Sequence, residues 1–274
     1  MEVIETDALQ ATLATDRFHL LDCSYFSDTN SRAKHFEARI QGAKFFDCSV
    51  IRDTSVAHPM QLPTLDQFTQ EMRKLRLKND GTPFVLYDQT GMFGIGRTYW
   101  MLKYFGFTGK IQVLWGGLPK WIREGKPVET GEYQVEGQDD TPEGYKFALN
   151  PFMLVTLPQL NEMLPGIQNG QSQVQLWDTR VDKLYADGHI PGNTHIIFRQ
   201  LLDENWTFKS KEEVRQILTA QGLDLSRPVI TMCRSGVVAA IGYLLLVYIE
   251  KADIKMYAGS WLEYKAALPV LNPS

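Results

Sequence analysis

No apolar run in this chain of 274 residues approaches the roughly 20 needed to cross a bilayer. The stretch from Ile241 to Ile249 is apolar, but Glu250 and Lys251 close it. Cysteine is scarce. The three residues Cys23, Cys48 and Cys233 show no paired spacing, which excludes a disulfide framework and a zinc cluster. Charge of one sign is also lacking. A net charge of -4 gives no basic footprint for nucleic acid and no polybasic membrane patch. The N-terminal MEVIETDALQ has neither the charged-then-apolar plan of a signal peptide nor the Arg-rich plan of a transit peptide. The expected compartment is therefore reducing and cytoplasmic, with mitochondrial residence as the second reading.

What the chain does have is apolar material, 44% of its residues, enough to build real cores. It also repeats itself. Phe18-His-Leu-Leu-Asp22 matches Val174-Gln-Leu-Trp-Asp178, and Ile40-Gln-Gly42 matches Ile190-Pro-Gly192. Pro83-Phe-Val-Leu-Tyr-Asp88 matches Pro228-Val-Ile-Thr-Met-Cys233, and Ile111 to Gly116 matches Ile254 to Gly259. The offset between copies falls steadily, from 156 residues at the Asp22–Asp178 pair to 143 at the Ile111–Ile254 pair. Small deletions in the second copy produce such a drift, and chance does not. The expected division is a first domain over 1–130, a linker over 131–150 rich in Gly, Glu, Gln and Asp, and a second domain over 151–274.

Within each copy, short apolar strands alternate with helical segments. Thr64-Leu-Asp-Gln67 and Ser210-Lys-Glu-Glu213 read as capping boxes that open helices. This alternation predicts an α/β domain with a largely parallel sheet flanked by helices. Ligands of such sheets bind at the carboxyl ends of the strands, where Asp88 and Cys233 are expected.

Cys233-Arg-Ser-Gly-Val-Val238 follows one of these strands and precedes a helix that starts near Ala239. Backbone N–H groups curling around the sulfur, together with a helix N-terminus, favour the thiolate. Gly236 allows the tight turn, and Arg234 adds positive charge. A thiolate so placed can attack sulfur, attack phosphorus or act as a redox thiol. A Cys-x5-Arg phosphatase needs an arginine where this chain has Ala239, and a Cys-x-x-Cys redox pair needs a cysteine where it has Gly236. Sulfur transfer remains. Cys23 and Cys48 read as small buried apolar residues.

With Gly188-His-Ile-Pro-Gly192, Asp178-Thr-Arg180, the Cys233–Val238 loop and Gly259-Ser-Trp261, the chain resembles the rhodanese superfamily in its tandem form. Phe45-Phe-Asp47, Tyr87-Asp88 and Gly116-Gly117-Leu118 carry the same resemblance in the first copy. The resemblance implies two tandem rhodanese-like domains, the second catalytic and the first a non-catalytic copy with Asp88 in place of the cysteine. It implies a persulfide on Cys233, a small-molecule sulfur donor and a thiol, thioredoxin or cyanide as acceptor. It implies no metal and no organic cofactor. Arg234, Gly236, Val237 and Val238 become the substrate-binding loop.

The donor divides the family. The loop resembles the thiosulfate branch at Arg234 and the 3-mercaptopyruvate branch at Ser235; Val238 matches neither. His58, in Ala57-His-Pro-Met-Gln-Leu-Pro63, resembles the histidine that works with that serine in a proton relay. After Phe45-Phe46-Asp47, the family's second aspartate falls on Ser49. The insert that typically follows Asp178-Thr-Arg180, with two donor-gripping arginines, is reduced here to Val181–Gly188, which holds no arginine. The expectation is a sulfurtransferase with 3-mercaptopyruvate favoured and thiosulfate next; the rival is a non-catalytic persulfide carrier or sensor. A monomer or weak dimer is expected, with no nucleic-acid or membrane partner.

Overall fold

The computed structural model describes residues 1–15, 17–90, 92–133 and 143–271. Positions 134–142 of the expected linker lie outside the described residues. The chain forms two compact units. The first comprises residues 1–53, 62–150 and 205–207; the second comprises 54–61, 151–204 and 208–274. Two short segments thus cross the division expected along the chain. The segment 54–61 carries His58 into the second unit.

In the first unit, strands β1 (Glu2–Ile4), β2 (His19–Asp22), β4 (Lys44–Phe45), β5 (Phe84–Tyr87) and β6 (Ile111–Leu114) form one sheet, in the order β1-β6-β5-β2-β4. All its pairings are parallel. β3 (Arg39–Ile40) and β7 (Val128–Glu129) make a separate antiparallel pair. The helices are α1 (Thr6–Thr12), α2 (Ser31–Glu37), α3 (Leu65–Lys74), α4 (Phe93–Tyr104) and α5 (Gly117–Arg123). β5 is buried at every position, as a central strand covered on both faces must be. The last part of the expected linker packs on this unit: Ala148 and Asn150 donate their N–H groups to the carbonyls of Phe105 and Tyr104.

The second unit repeats the plan with fewer strands. β8 (Gln175–Asp178), β9 (Thr194–His195), β10 (Val229–Met232) and β11 (Ile254–Met256) lie in the order β11-β10-β8-β9, all parallel. Its helices are α6 (Leu157–Gln168), α7 (Asp182–Ala186), α8 (Lys211–Ala220), α9 (Val238–Tyr248) and α10 (Ser260–Leu271). Ile230 and Met232 of β10, Leu176 of β8 and Leu160 and Leu164 of α6 share one core with Trp261 and Tyr264 of α10. α9 is apolar on all sides and buried from Ala239 to Leu246, which makes it a core helix. With 11 residues it is far too short to span a bilayer, and among the described residues no helix is long and apolar enough to do so.

The capping boxes form as the sequence predicts. The Thr64 and Ser210 hydroxyls accept from the Gln67 and Glu213 N–H groups, and both side chains return the bond. A third box, Thr156 with Gln159, opens α6.

Candidate functional site

Parallel pairing brings the carboxyl ends of β10, β8 and β9 together: Met232 is in register with Asp178, and Asp178 with His195. Cys233 is the next residue after β10. It is buried, 2% exposed, and begins a five-residue loop that ends where α9 starts at Val238. Gly236, with φ of 88°, turns the loop so that its N–H donates to Cys233 Sγ at 3.1 Å. An amide aimed at sulfur, ahead of a helix N-terminus, favours negative charge there.

The loop backbone is pinned by α10. Trp261 N–H donates to the Cys233 carbonyl and Leu262 N–H to the Arg234 carbonyl, both at 3.0 Å. Ser260 is fully buried. Its hydroxyl accepts from Cys233 N–H at 3.1 Å, donates to the Tyr257 carbonyl at 2.9 Å, and stands 4.0 Å from Cys233 Sγ. The motif Gly259-Ser-Trp261 marked this segment, but nothing in it assigned the serine a contact with the cysteine.

The other sequence-predicted residues sit as follows. Arg234 is exposed, and its guanidinium makes no hydrogen bond or ion pair among the described residues. Ser235 is half-buried, Val237 buried and Val238 half-buried. His58 is half-buried; Met60 N–H donates to its Nδ1 at 3.2 Å and its Nε2 lies 3.0 Å from the Gly259 carbonyl. An acceptor at Nδ1 and a carbonyl at Nε2 together assign a neutral ring with its proton on Nε2. These bonds bring His58 to the residue next to Ser260.

Arg180 is committed to structure. Its Nε and Nη2 donate to the Asp178 carboxylate at 3.0 and 2.7 Å, and its two Nη atoms also donate to the Leu184 and Gly188 carbonyls. The pair is buried, so it orders the turn after β8 rather than offering a free cation. Tyr185 stacks between His189 and His195, at 4.1 and 3.8 Å between ring centres.

A cavity of about 840 Å³ lies elsewhere in this unit. Val229, Ile254 and Val247 line it, at the amino ends of β10 and β11, the end of the sheet away from Cys233. Among the described residues, no group of acidic, His or Cys side chains is arranged to hold a metal.

The rhodanese-like domain family matches this chain twice, over residues 5–124 and 160–267. The chain belongs to the rhodanese family. Both copies of the family's domain are α/β, with parallel strands and flanking helices. Thiosulfate sulfurtransferase of Rattus norvegicus is 33% identical over 266 residues, covering 91% of this chain and 86% of the relative. 3-Mercaptopyruvate sulfurtransferase of Homo sapiens is 30% identical, covering 94% and 88%. The crystal structure of the 3-mercaptopyruvate sulfotransferase SseA from Escherichia coli superposes with a TM-score of 0.84 at 26% identity, covering 94% of this chain and 98% of that one. The rhodanese relatives thus include sulfurtransferases named for two different donors.

Proposed function

We propose that this chain is a sulfurtransferase that carries sulfur as a persulfide on Cys233. The observation that carries this reading is the buried Cys233 at the end of β10, with Gly236 N–H on its sulfur ahead of α9. The Cys233 thiolate attacks the donor's outer sulfur, and a new S–S bond forms. With thiosulfate, the donor's own S–S bond breaks and sulfite leaves. With 3-mercaptopyruvate, the C–S bond breaks and its electron pair passes to carbon as an enolate. The proton of the transferred SH group then moves to that carbon, giving pyruvate and the persulfide anion. An acceptor thiolate, thioredoxin or cyanide attacks the outer sulfur, and the Cys233 thiolate returns.

Gly236, Val237 and Val238 shape the loop that holds the sulfur, and Arg234 meets the donor's negative charge. Ser235 and His58 form the proton relay. His58 holds its proton on Nε2 and enters the relay by exchanging the Gly259 carbonyl for the Ser235 hydroxyl. Having both groups favours 3-mercaptopyruvate, whose reaction requires a proton transfer, over thiosulfate, whose reaction does not. The first copy, 1–130, has no nucleophile of its own and contributes only His58, whose segment packs with the second unit, while 151–274 carries the sulfur. The protein works in the cytoplasm as a monomer or weak dimer.

The test is intact mass after incubation with each donor. Wild type gains one sulfur atom, loses it to cyanide or a thiol, and Cys233→Ser gains none. His58→Gln slows the reaction of 3-mercaptopyruvate by about 10²-fold and leaves thiosulfate unchanged. No sulfur gain by wild type from either donor overturns the enzyme reading in favour of a slow persulfide carrier.

A further inference from the structure

Ser260 holds a backbone conformation that residues with side chains rarely adopt: its φ is 54°. The first copy supplies the control. There Leu118 N–H donates to the Asp88 carbonyl, as Trp261 N–H donates to the Cys233 carbonyl. The residue before Leu118 is Gly117, also at φ 54°. A Cβ on Gly117 would lie 2.2 Å from the Asp88 carbonyl oxygen. The copy with Asp88 in place of the loop cysteine therefore uses glycine at this turn and packs tightly around it. The copy with the cysteine accommodates a side chain in the same strained conformation, and that side chain's hydroxyl reaches Cys233.

We propose that Ser260 is the positioning residue of the sulfur nucleophile. By accepting the Cys233 N–H at 3.1 Å it fixes the start of the loop, and so the direction in which Sγ points. Its hydroxyl proton, given to the Tyr257 carbonyl at 2.9 Å, needs only a rotation about the C–O bond to face Sγ, 4.0 Å away. A thiolate or persulfide anion at Cys233 then receives a hydroxyl donor in addition to the Gly236 amide, and Ser260 acts through the cysteine rather than on the donor. His58 bonds to the carbonyl of Gly259, the preceding residue, so the turn is braced on both sides.

This inference rests on Cys233 being the sulfur carrier, and the experiment keeps the two apart. Ser260→Gly relieves the backbone conformation, as Gly117 does in the first copy, while Ser260→Ala keeps the conformation and removes only the hydroxyl. Both variants and wild type are compared for thermal unfolding, for the rate of Cys233 alkylation by iodoacetamide at pH 7, and for steady-state kinetics with the faster donor. Ser260→Gly is expected to unfold at the wild-type temperature or above. Alkylation and kcat should nonetheless fall in both variants by roughly 10–100-fold, the loss of a hydrogen bond to a charged group, with KM for the donor unchanged. Wild-type alkylation and kcat in Ser260→Gly overturn the proposal, as does a fall in rate matched by a fall in unfolding temperature. If wild type gains no sulfur from any donor, the sulfurtransferase reading fails while the alkylation rates still decide the role of Ser260.

Discussion

The loop after β5 and the loop after β10 have the same length and differ in their first residue. α4 begins five residues after Asp88, and α9 begins five residues after Cys233. In the first loop the Asp88 carboxylate is itself the anion. It accepts from Thr90 N–H and, at 2.7 Å, from the Thr90 hydroxyl on one oxygen, and from Gly94 N–H at 2.9 Å on the other. In the second loop a smaller, softer atom stands at the same strand end, and Gly236 N–H faces it. A side chain one bond longer, ending in two oxygens, satisfies the turn's own donors. On the proposed mechanism, the shorter thiol leaves the turn's amide for one more sulfur. The comparison teaches that the same turn aims a backbone N–H at either side chain, Gly94 N–H at Asp88 and Gly236 N–H at Cys233, and that for Asp88 burial outweighs those bonds.

The cysteines make the same point. Cys23 and Cys48, both in the first unit, are buried, and burial holds Cys23 well above the usual thiol range and pushes Cys48 up to about 12. Burial thus disfavours the thiolate at both, which sets them apart from the role proposed for Cys233.

The comparison breaks most severely at Gly94. A Cβ there would lie 1.2 Å from the Cys23 carbonyl oxygen, backbone against helix, while the second copy carries Ala239 at the matching position, fully buried. Gly94→Ala is expected to destabilise the first unit by more than about 3 kcal/mol. Ala239→Gly should cost only about 1–2 kcal/mol, from helix propensity and a lost methyl. Denaturant unfolding of both variants measures this. Equal costs would mean that the close helix approach is not what requires glycine in the first copy.

Asp88 gives the next effect. Burial raises its carboxyl from 3.8 to about 6, against the opposing hydrogen bonds from Thr90 and Gly94. The folded state therefore holds a proton between about pH 4 and 6 that the unfolded chain releases. This contribution to stability is full below pH 4 and is lost as pH rises through 6, a change of about 3 kcal/mol. Asp88→Asn lacks that titration. The stability of wild type relative to Asp88→Asn should thus fall by about that amount from pH 4 to pH 7, read from urea midpoints. A difference that is flat or rises with pH would refute a costly buried carboxylate.

Much of this was legible in the sequence because it rests on local patterns. The repeat, the two capping boxes and the strand ends at Asp88 and Cys233 follow from period, cap chemistry and turn residues. The Asp178–Arg180 pair follows from two opposite charges at one strand end. The rest depends on tertiary placement. Nothing in the chain order says that 54–61 packs with the second unit; the resemblance alone pairs His58 with Ser235, and it says nothing of the bond to Gly259. Thr156-Leu-Pro-Gln159 is a readable capping box that escapes notice beside a polar linker. Ser260 looks like an ordinary turn serine until its φ and its bond to Cys233 N–H are seen beside Gly117.

The smallest expected effect lies one residue further along each loop. Gln89 is tied inward: its amide N–H groups donate to the Asp22 carboxylate and to the Lys34 and Ala38 carbonyls. Arg234, its counterpart, is exposed and unpaired among the described residues. One residue orders the turn and the other offers a charge. For a charge as exposed as Arg234, a unit charge about 4 Å away is worth roughly 1 kcal/mol in bulk water, or about fivefold in binding. Arg234→Ala should therefore raise KM about fivefold for the monoanion 3-mercaptopyruvate and about 25-fold for the dianion thiosulfate, with kcat nearly unchanged. The gap between the donors should narrow in 0.5 M salt, because an exposed charge is screened. Gln89→Ala should leave both KM values alone and lower the unfolding midpoint instead, by leaving buried acceptors short of a donor. An Arg234→Ala enzyme that loses equally against both donors would assign Arg234 to the loop's architecture, the role Gln89 has in the first loop.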